Sequence, residues 1–354
     1  MITLDGMDGM QGQNSALAEP GGALADAALM VEHTRAATVN LAWLARHGDT
    51  SDRRLTPRGV VGDKLPSPGR KLTPQYHDKQ VRATLYDFDL LSALAFEAGD
   101  NDTATMKYRA PGGELVPVMQ ITRPPLDVFR KQVLRVESLA QLRQERIGEI
   151  LGEMGPQYAL WTAVADLSPQ RTPRTLELID CGLRLSSSVV QRFKHQFVCP
   201  RPIEYSPLVQ PVIQTPGHRS FPSGHSTQAF FVARLLKLLA GSRCSVVMEE
   251  QLQAQAARIA QNREVAGVHF PVDSMAGCLL GDTLAWHLAA VGSLGGLARY
   301  AGRFDAREDP TQMHSPGMAY GAFQHREADV DKPAKPRAST LAWLWNAASE
   351  EWQA

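Results

Sequence analysis

The sequence predicts a mainly α-helical protein, a bundle of helices joined by long loops. Between residues 126 and 291, long segments repeat apolar residues close to every 3.6 positions, as amphipathic and buried helices do. Clusters of proline, glycine and asparagine precede and separate these segments, and such clusters mark turns and loops. The 354 residues are enough to bury a sizeable core.

The first half of the chain divides into an arm and a region predicted to be helical. Residues 1–24 are rich in glycine, alanine and glutamine, and we expect them to form a flexible arm. We expect residues 25–170 to form an N-terminal helical region that shapes the mouth of the site described below. Within it we expect helices at 24–46, 86–98 and Leu126–Met154, loops at 47–82 and 99–124, and a short strand at Leu115–Ile121.

Residues 171–300 predict the core of the protein. Thr172-Pro173 opens a helix, because proline is favoured in a first turn, and Pro200 and Pro202 follow its end near Phe197. Three more helices are expected at 223–239, 246–265 and 271–291. Residues 301–354 predict a polar C-terminal tail with a short docking helix at Leu341–Trp352.

Composition excludes several classes of protein. Lys plus Arg and Asp plus Glu both number 37, so no nucleic-acid partner is indicated. The N-terminal segment lacks the basic start and apolar stretch of a signal peptide. The most apolar segment, 274–298, is interrupted by Asp282 and His287, so we expect a buried core helix and no membrane span. A cytoplasmic or otherwise soluble protein with free, buried cysteines is the expectation.

The first of three chemistry-bearing segments contains Lys194 and Arg201. Lys194 lies near the end of a predicted helix, and Arg201 lies in the rigid Pro200-Arg201-Pro202 turn. Arginine offers a planar fork of donors suited to phosphate-like oxygens, and lysine adds a compact positive charge.

The second segment is Pro222-Ser223-Gly224-His225, which comes immediately before an apolar helical run. The free N–H groups of a helix N-terminus favour a bound anion. Gly224 would let an oxyanion approach the backbone, and the Ser223 hydroxyl can donate one more hydrogen bond.

The third segment runs from Arg263 to Asp273. His269 lies just before a helix that begins at Pro271, and Asp273 falls in its first turn. The carboxylate can accept the imidazole N–H, fix the tautomer and leave the other ring nitrogen free as nucleophile or ligand. Taken singly, each segment is more often structural: a solvated charge, a helix cap, a histidine before proline. Their combination and order favour a site for a tetrahedral oxyanion.

The order K-x6-R-P, P-S-G-H and R-x5-H-x3-D resembles the three-part motif of a superfamily. Its members are type 2 phosphatidic acid phosphatases (PAP2), class A acid phosphatases and vanadium haloperoxidases. The resemblance covers about Lys194 to Asp273 and implies the superfamily's helical bundle. It assigns His269 as axial nucleophile or vanadium ligand, His225 as general acid–base and Asp273 as the group that orients His269. The residues it implies for the equatorial oxygens are Lys194, Arg201, Ser223, Gly224 and Arg263. Asn262 stands where serine is common and is a candidate auxiliary donor.

The resemblance leaves two reactions open. One is vanadate-dependent oxidation of a halide by peroxide. The other is hydrolysis of a small phosphomonoester through a phosphohistidine, which needs no cofactor. His218 is similar to the extra active-site histidine of bromoperoxidase-type members, and neither signal peptide nor spanning helices are seen. The sequence therefore slightly favours the haloperoxidase. Phosphate is expected to compete at the site in either case, and a homodimer is common in related proteins. A third hypothesis, a non-catalytic oxyanion-binding protein, would need the cationic groups but not both histidines.

Overall fold

The computed structural model describes residues 74, 77–99, 102–110, 112–155, 157–294, 300–307, 326–327 and 340–353. The chain divides into two compact units, and nearly all of these residues lie in the unit that includes Lys79–Ala354. The predicted arm at 1–24, the predicted helix at 24–46 and most of the 47–82 loop lie outside the described residues. The mainly α-helical class is confirmed, with one small sheet added.

Helices occupy most of the described chain. Before the core they are α1 (Lys79–Ser92), α2 (Leu126–Leu139), α3 (Arg143–Gly152) and α4 (Tyr158–Ala165). In the core and beyond it they are α5 (Pro173–Phe197), α6 (Pro202–Tyr205), α7 (Gly224–Ala240), α8 (Val246–Val265), α9 (Pro271–Gly292) and α10 (Thr340–Glu351). Single 3-10 turns lie at Ala140–Leu142, Pro207–Val209 and Gly241–Arg243.

Helix α7 lies at the centre of the core and packs against α5, α8 and α9. Glycines make this close packing possible. A Cβ atom on Gly281 of α9 would overlap the backbone of α7 at Thr227, and one on Gly182 of α5 would overlap the ring of Phe231. α9 is buried over most of its length, and the buried Asp282 pairs with Arg234 of α7. The expectation of a buried core helix is confirmed.

A five-stranded sheet corrects the predicted N-terminal helical region. Its order is β1 (Leu94–Ala98), β2 (Thr103–Arg109), β3 (Leu115–Thr122), β4 (Tyr300–Asp305) and β5 (Arg326–Glu327). The predicted helix at 86–98 is wrong in its second half, which is β1, and the predicted 99–124 loop contains β2 as well as the expected strand. β4 pairs in parallel with β3, so the start of the predicted tail is also strand. Local periodicity could not show this, because β3 and β4 are far apart in sequence.

The predicted helix at Leu126–Met154 is divided into α2 and α3 by a 3-10 turn. Among the described helices, none is both long and apolar enough to cross a lipid bilayer. All four cysteines are free; Cys181, Cys199 and Cys278 are buried, as predicted, and Cys244 is partly exposed.

Candidate active site

One cavity lies where the ends of the core helices meet. Its volume is about 40 Å³, a few times the roughly 10–15 Å³ that one water needs, so a small tetrahedral anion is of the right size. Six predicted site residues line it: Lys194, His218, Gly224, His225, Arg263 and His269. The other lining residues are Met154, Ser187, Val190, Gln191, Ile213, Gln214, Pro216, Gln228 and Val268.

Lys194 and Arg201 are buried and held by backbone carbonyls. Lys194 is in the last turn of α5, and its Nζ donates to the carbonyls of Arg219 and Ser220 at 2.7 and 2.6 Å. Arg201 caps α6 and donates to the carbonyls of His218 and Val268. Burial lowers the pKa of Lys194 well below its ordinary value and that of Arg201 to about 10. The carbonyls fix both groups and favour their charged forms.

The second segment forms the N-terminus of α7. Ser223 is the N-cap residue, and its Oγ accepts from the N–H of Ser226 at 3.4 Å. Its own N–H donates to the carbonyl of Asp273 at 2.9 Å, which joins the start of α7 to the start of α9. A Cβ on the next residue, Gly224, would meet nothing within 4 Å. Because Gly224 lines the cavity, any larger residue there would take space from an anion.

His269 and Asp273 form the predicted dyad. His269 Nδ1 lies 2.9 Å from Asp273 Oδ2, and this oxygen also accepts from the N–H of Phe270. His269 Nε2 lies 3.1 Å from an Arg201 nitrogen. Arginine can only donate, so Nε2 accepts and the ring proton is on Nδ1. Burial lowers the pKa of His269 well below its ordinary value and raises that of Asp273 to about 6. The histidine is therefore neutral, with a lone pair at Nε2.

His225 is neutral as well. Burial, with the positive charge of Arg263, lowers its pKa to about 3. Its Nε2 lies 3.2 Å from the carbonyl oxygen of Glu153, so Nε2 carries the proton. His218 lines the same cavity, and its Nδ1 lies 3.0 Å from Arg201. Burial and the nearby cations lower the pKa of His218 to about 3.

Glu153, just after α3, is a charged neighbour of the site that sequence reasoning missed. Its Oε2 accepts from Arg263 at 2.5 Å, and both side chains are almost fully buried. The side-chain amide of Asn262 donates to the other Glu153 oxygen at 2.6 Å and to Glu149 at 2.9 Å. Asn262 thus orients the carboxylate behind Arg263 and is not among the lining residues. The sequence signal for Glu153 was its spacing of three residues from the apolar Ile150 in the predicted Leu126–Met154 helix.

The other histidines of the core do not reach the cavity. His195, next to Lys194, is exposed, and His287 is buried against Tyr108. His33, His47, His314 and His325 lie outside the described residues.

A family model described as the PAP2 superfamily matches residues 181–293. No curated protein matches the chain significantly. Among solved structures, the chain is similar to a transmembrane PAP2 type phosphatidylglycerolphosphate phosphatase from Bacillus subtilis. That likeness has 19% sequence identity, covers 46% of this chain and 85% of the other, and has a TM-score of 0.37. The matched residues contain all three motifs of the cavity, so this part of the chain is similar to the PAP2 superfamily.

Proposed function

We propose that this protein is a phosphatase that hydrolyses a small phosphomonoester through a phosphohistidine on His269. The observation that carries the proposal is the protonation state and orientation of that histidine. Asp273 holds the proton on Nδ1, and the Nε2 lone pair lies beside Arg201 at the cavity. An oriented, neutral imidazole is a competent nucleophile toward phosphorus.

In the first step two bonds change at phosphorus, and one proton moves. His269 Nε2 attacks phosphorus, and the bond from phosphorus to the ester oxygen breaks. His225 donates the proton that the leaving oxygen needs. In the second step water attacks the phosphohistidine, His225 takes the proton of that water, and phosphate and free His269 are released.

The charge of the substrate has a part in this cycle. With a pKa of about 3, His225 is a neutral imidazole in the anion-free protein, and the N–H of a neutral imidazole is too weak an acid to protonate a leaving oxygen. A phosphate dianion nearby favours the imidazolium and raises that pKa. A bound substrate would therefore favour the protonated His225 that the first step needs.

Lys194, Arg201 and Arg263 supply the electrostatic part of catalysis. Their positive charges, with the N–H groups at the start of α7, would stabilise the negative charge on the three equatorial oxygens in the transition state. Because their carbonyl partners already hold Lys194 and Arg201, little reorganisation is needed as the charge develops.

A second candidate function is halide oxidation, and His218 is the observation that favours it. This histidine lines the cavity beside Arg201, and in sequence it is similar to the extra active-site histidine of bromoperoxidase-type members. The residues present fit vanadate: His269 would hold it, and Lys194, Arg201, Gly224 and Arg263 would contact its oxygens. Bound vanadate would supply activation of peroxide toward a halide. The Glu153 carboxylate on Arg263 weighs against this candidate, because a resident anionic cofactor needs tighter retention than a substrate that must leave.

A side-by-side assay separates the two candidates. One arm supplies p-nitrophenyl phosphate without vanadate, and the other supplies bromide and peroxide with vanadate added. We expect phosphate release, inhibition by both phosphate and vanadate at one site, and an acid-labile phosphoprotein that His269→Ala lacks. Bromide oxidation without phosphatase activity would reverse the order of the two candidates. Independent, additive binding of phosphate and vanadate in calorimetry would contradict both.

A further inference from the structure

The three cations of the site differ in their partners. Lys194 donates to two backbone carbonyls, and the Arg201 guanidinium contacts carbonyls and histidine nitrogens. Of the three side chains, that of Arg263 is the one that donates to a carboxylate, that of Glu153. The charge of Arg263 is therefore compensated inside the protein before an anion enters.

The pair is built into the fold. Glu153 and Arg263 expose only 2% and 1% of their side chains, so water does not screen their attraction. Asn262 fixes the second carboxylate oxygen, and the carbonyl of Ile150 accepts from the same Arg263 nitrogen as Glu153. Glu153 is not among the cavity-lining residues, whereas Arg263 is. The carboxylate therefore lies behind the arginine and acts on an anion through its charge.

We propose that Glu153 is a specificity-determining residue that lowers the affinity of the cavity for doubly charged oxyanions. With Glu153 ionised, Arg263 contributes hydrogen-bond donors but little net charge. Product phosphate is then held less tightly, and turnover is protected from product retention. This inference rests on the oxyanion site of the proposed function but not on its reaction.

The test uses two tetrahedral anions of fixed charge, sulfate and perchlorate, because neither titrates near neutral pH. Their binding to the wild-type protein and to Glu153→Gln is measured by calorimetry at pH 7. Glutamine keeps the shape and hydrogen-bonding oxygen while removing the charge. Coulomb energy is proportional to ligand charge. If sulfate affinity rises about tenfold, perchlorate affinity should rise only about threefold.

Glu149→Gln is the matched control. Glu149 accepts from the same Asn262 amide as Glu153, but it pairs with the partly exposed Arg258 and does not contact Arg263. We expect this variant to change sulfate affinity by less than about twofold, because exposed pairs are well screened. If sulfate affinity rose equally in Glu153→Gln and Glu149→Gln, the effect would come from removing any nearby negative charge. That result would overturn the assignment to Glu153.

Unchanged or weaker sulfate binding in Glu153→Gln would mean that Glu153 only holds Arg263 in place, and would overturn the proposal. If wild-type protein binds neither anion, the oxyanion site itself falls, and the proposed function falls with it. Sulfate binding without any phosphatase activity would remove the proposed reaction but leave the inference standing.

A second variant covers the case in which Glu153→Gln does not fold, since removing one partner of a buried ion pair is strongly destabilising. Glu153→Gln with Arg263→Met removes both charges, which buried pairs often tolerate. If Glu153 cancels Arg263, this double variant keeps the wild-type ratio of sulfate to perchlorate affinity within about threefold. A selective loss of sulfate binding of about tenfold or more would show that Arg263 acts with its full charge, against the proposal.

Discussion

At the scale of single residues, His269 is the group that nothing else in the cavity can replace. Its Nε2 lone pair would form the bond to phosphorus, so His269→Ala should abolish turnover in a protein that still folds. His195→Ala is the matched control, because His195 is an exposed histidine on α5 next to Lys194. Turnover per folded molecule is measured by phosphate release, with folding checked by circular dichroism. If His269→Ala kept wild-type turnover, His269 would not be the nucleophile.

In the proposed mechanism, Asp273 would act on the reaction through His269. Asp273→Asn should leave a folded enzyme that is about 10–100-fold slower, because the outer partner sets the tautomer and basicity of the imidazole. Asp273 Oδ2 also accepts from the N–H of Phe270 at the start of α9, so the variant should lose roughly 0.5–2 kcal/mol of stability. Steady-state kinetics and urea unfolding separate the two effects. Loss of stability at unchanged kcat would make Asp273 purely structural.

At the scale of elements, contact between α7 and α9 sets the geometry of the candidate anion site. A Cβ on Gly281 would overlap the α7 backbone at Thr227, and backbone cannot move aside as a side chain can. Gly281→Ala should therefore cost about 1–3 kcal/mol or more in thermal unfolding. Gly148→Ala is the control: Gly148 lies on an exposed face of α3, and its Cβ would meet nothing within 4 Å. If the two variants were equally stable, α7 and α9 would have to be packed less closely than the structure shows.

Gly277 lies one turn earlier on α9, beside the site itself. Its Cβ would come within 2.7 Å of the Ser223 carbonyl and 2.8 Å of Ser226. Gly277→Ala should displace the start of α7 and weaken phosphate inhibition, whereas Gly281→Ala should chiefly lower stability. Inhibition constants for phosphate in the folded variants test this division, and identical constants in all three proteins would contradict it.

At the scale of the whole molecule, α10 stabilises the helix that carries Lys194. The N-cap residue of α5, Thr172, makes no side-chain capping bond. Instead the carboxylate of Glu351 accepts from the N–H groups of Arg174 and Thr175, at 2.7 and 2.8 Å. A negative charge at a helix N-terminus also interacts favourably with the helix dipole. Residues near the end of the chain thus cap α5 at the end opposite to the cavity.

Glu351→Ala should lower the free energy of unfolding by about 0.5–2 kcal/mol, because two N–H groups of α5 lose their partner. The adjacent, exposed Glu350→Ala is the control and should stay within about 0.5 kcal/mol of the wild type. Urea unfolding measures both, and kcat of the folded variants should equal that of the wild type. If the urea midpoint of Glu351→Ala equalled that of the wild type, water would cap the N-terminus of α5 as well as the Glu351 carboxylate does.

The sequence by itself named the groups that are candidates for the chemistry, and it determined where the core helices begin and end. Pro173, Ser223 and Pro271 mark starts that the structure places within one residue of prediction, because caps and first-turn prolines act through local backbone geometry. The tautomer of His269 could be anticipated too, since His269 and Asp273 are only four residues apart.

Only the tertiary structure decided what depends on residues far apart in the chain. The pairing of β3 with β4 joins Met119 to Gly302, and no local pattern predicts a partner at that distance. Glu153 stands behind Arg263, and Asn262 turns toward Glu149 and Glu153, because α3 packs against α8. The charge of a buried group depends on its neighbours in space. Sequence could therefore list the cations of the site, but only the packed fold showed that one of them is already compensated.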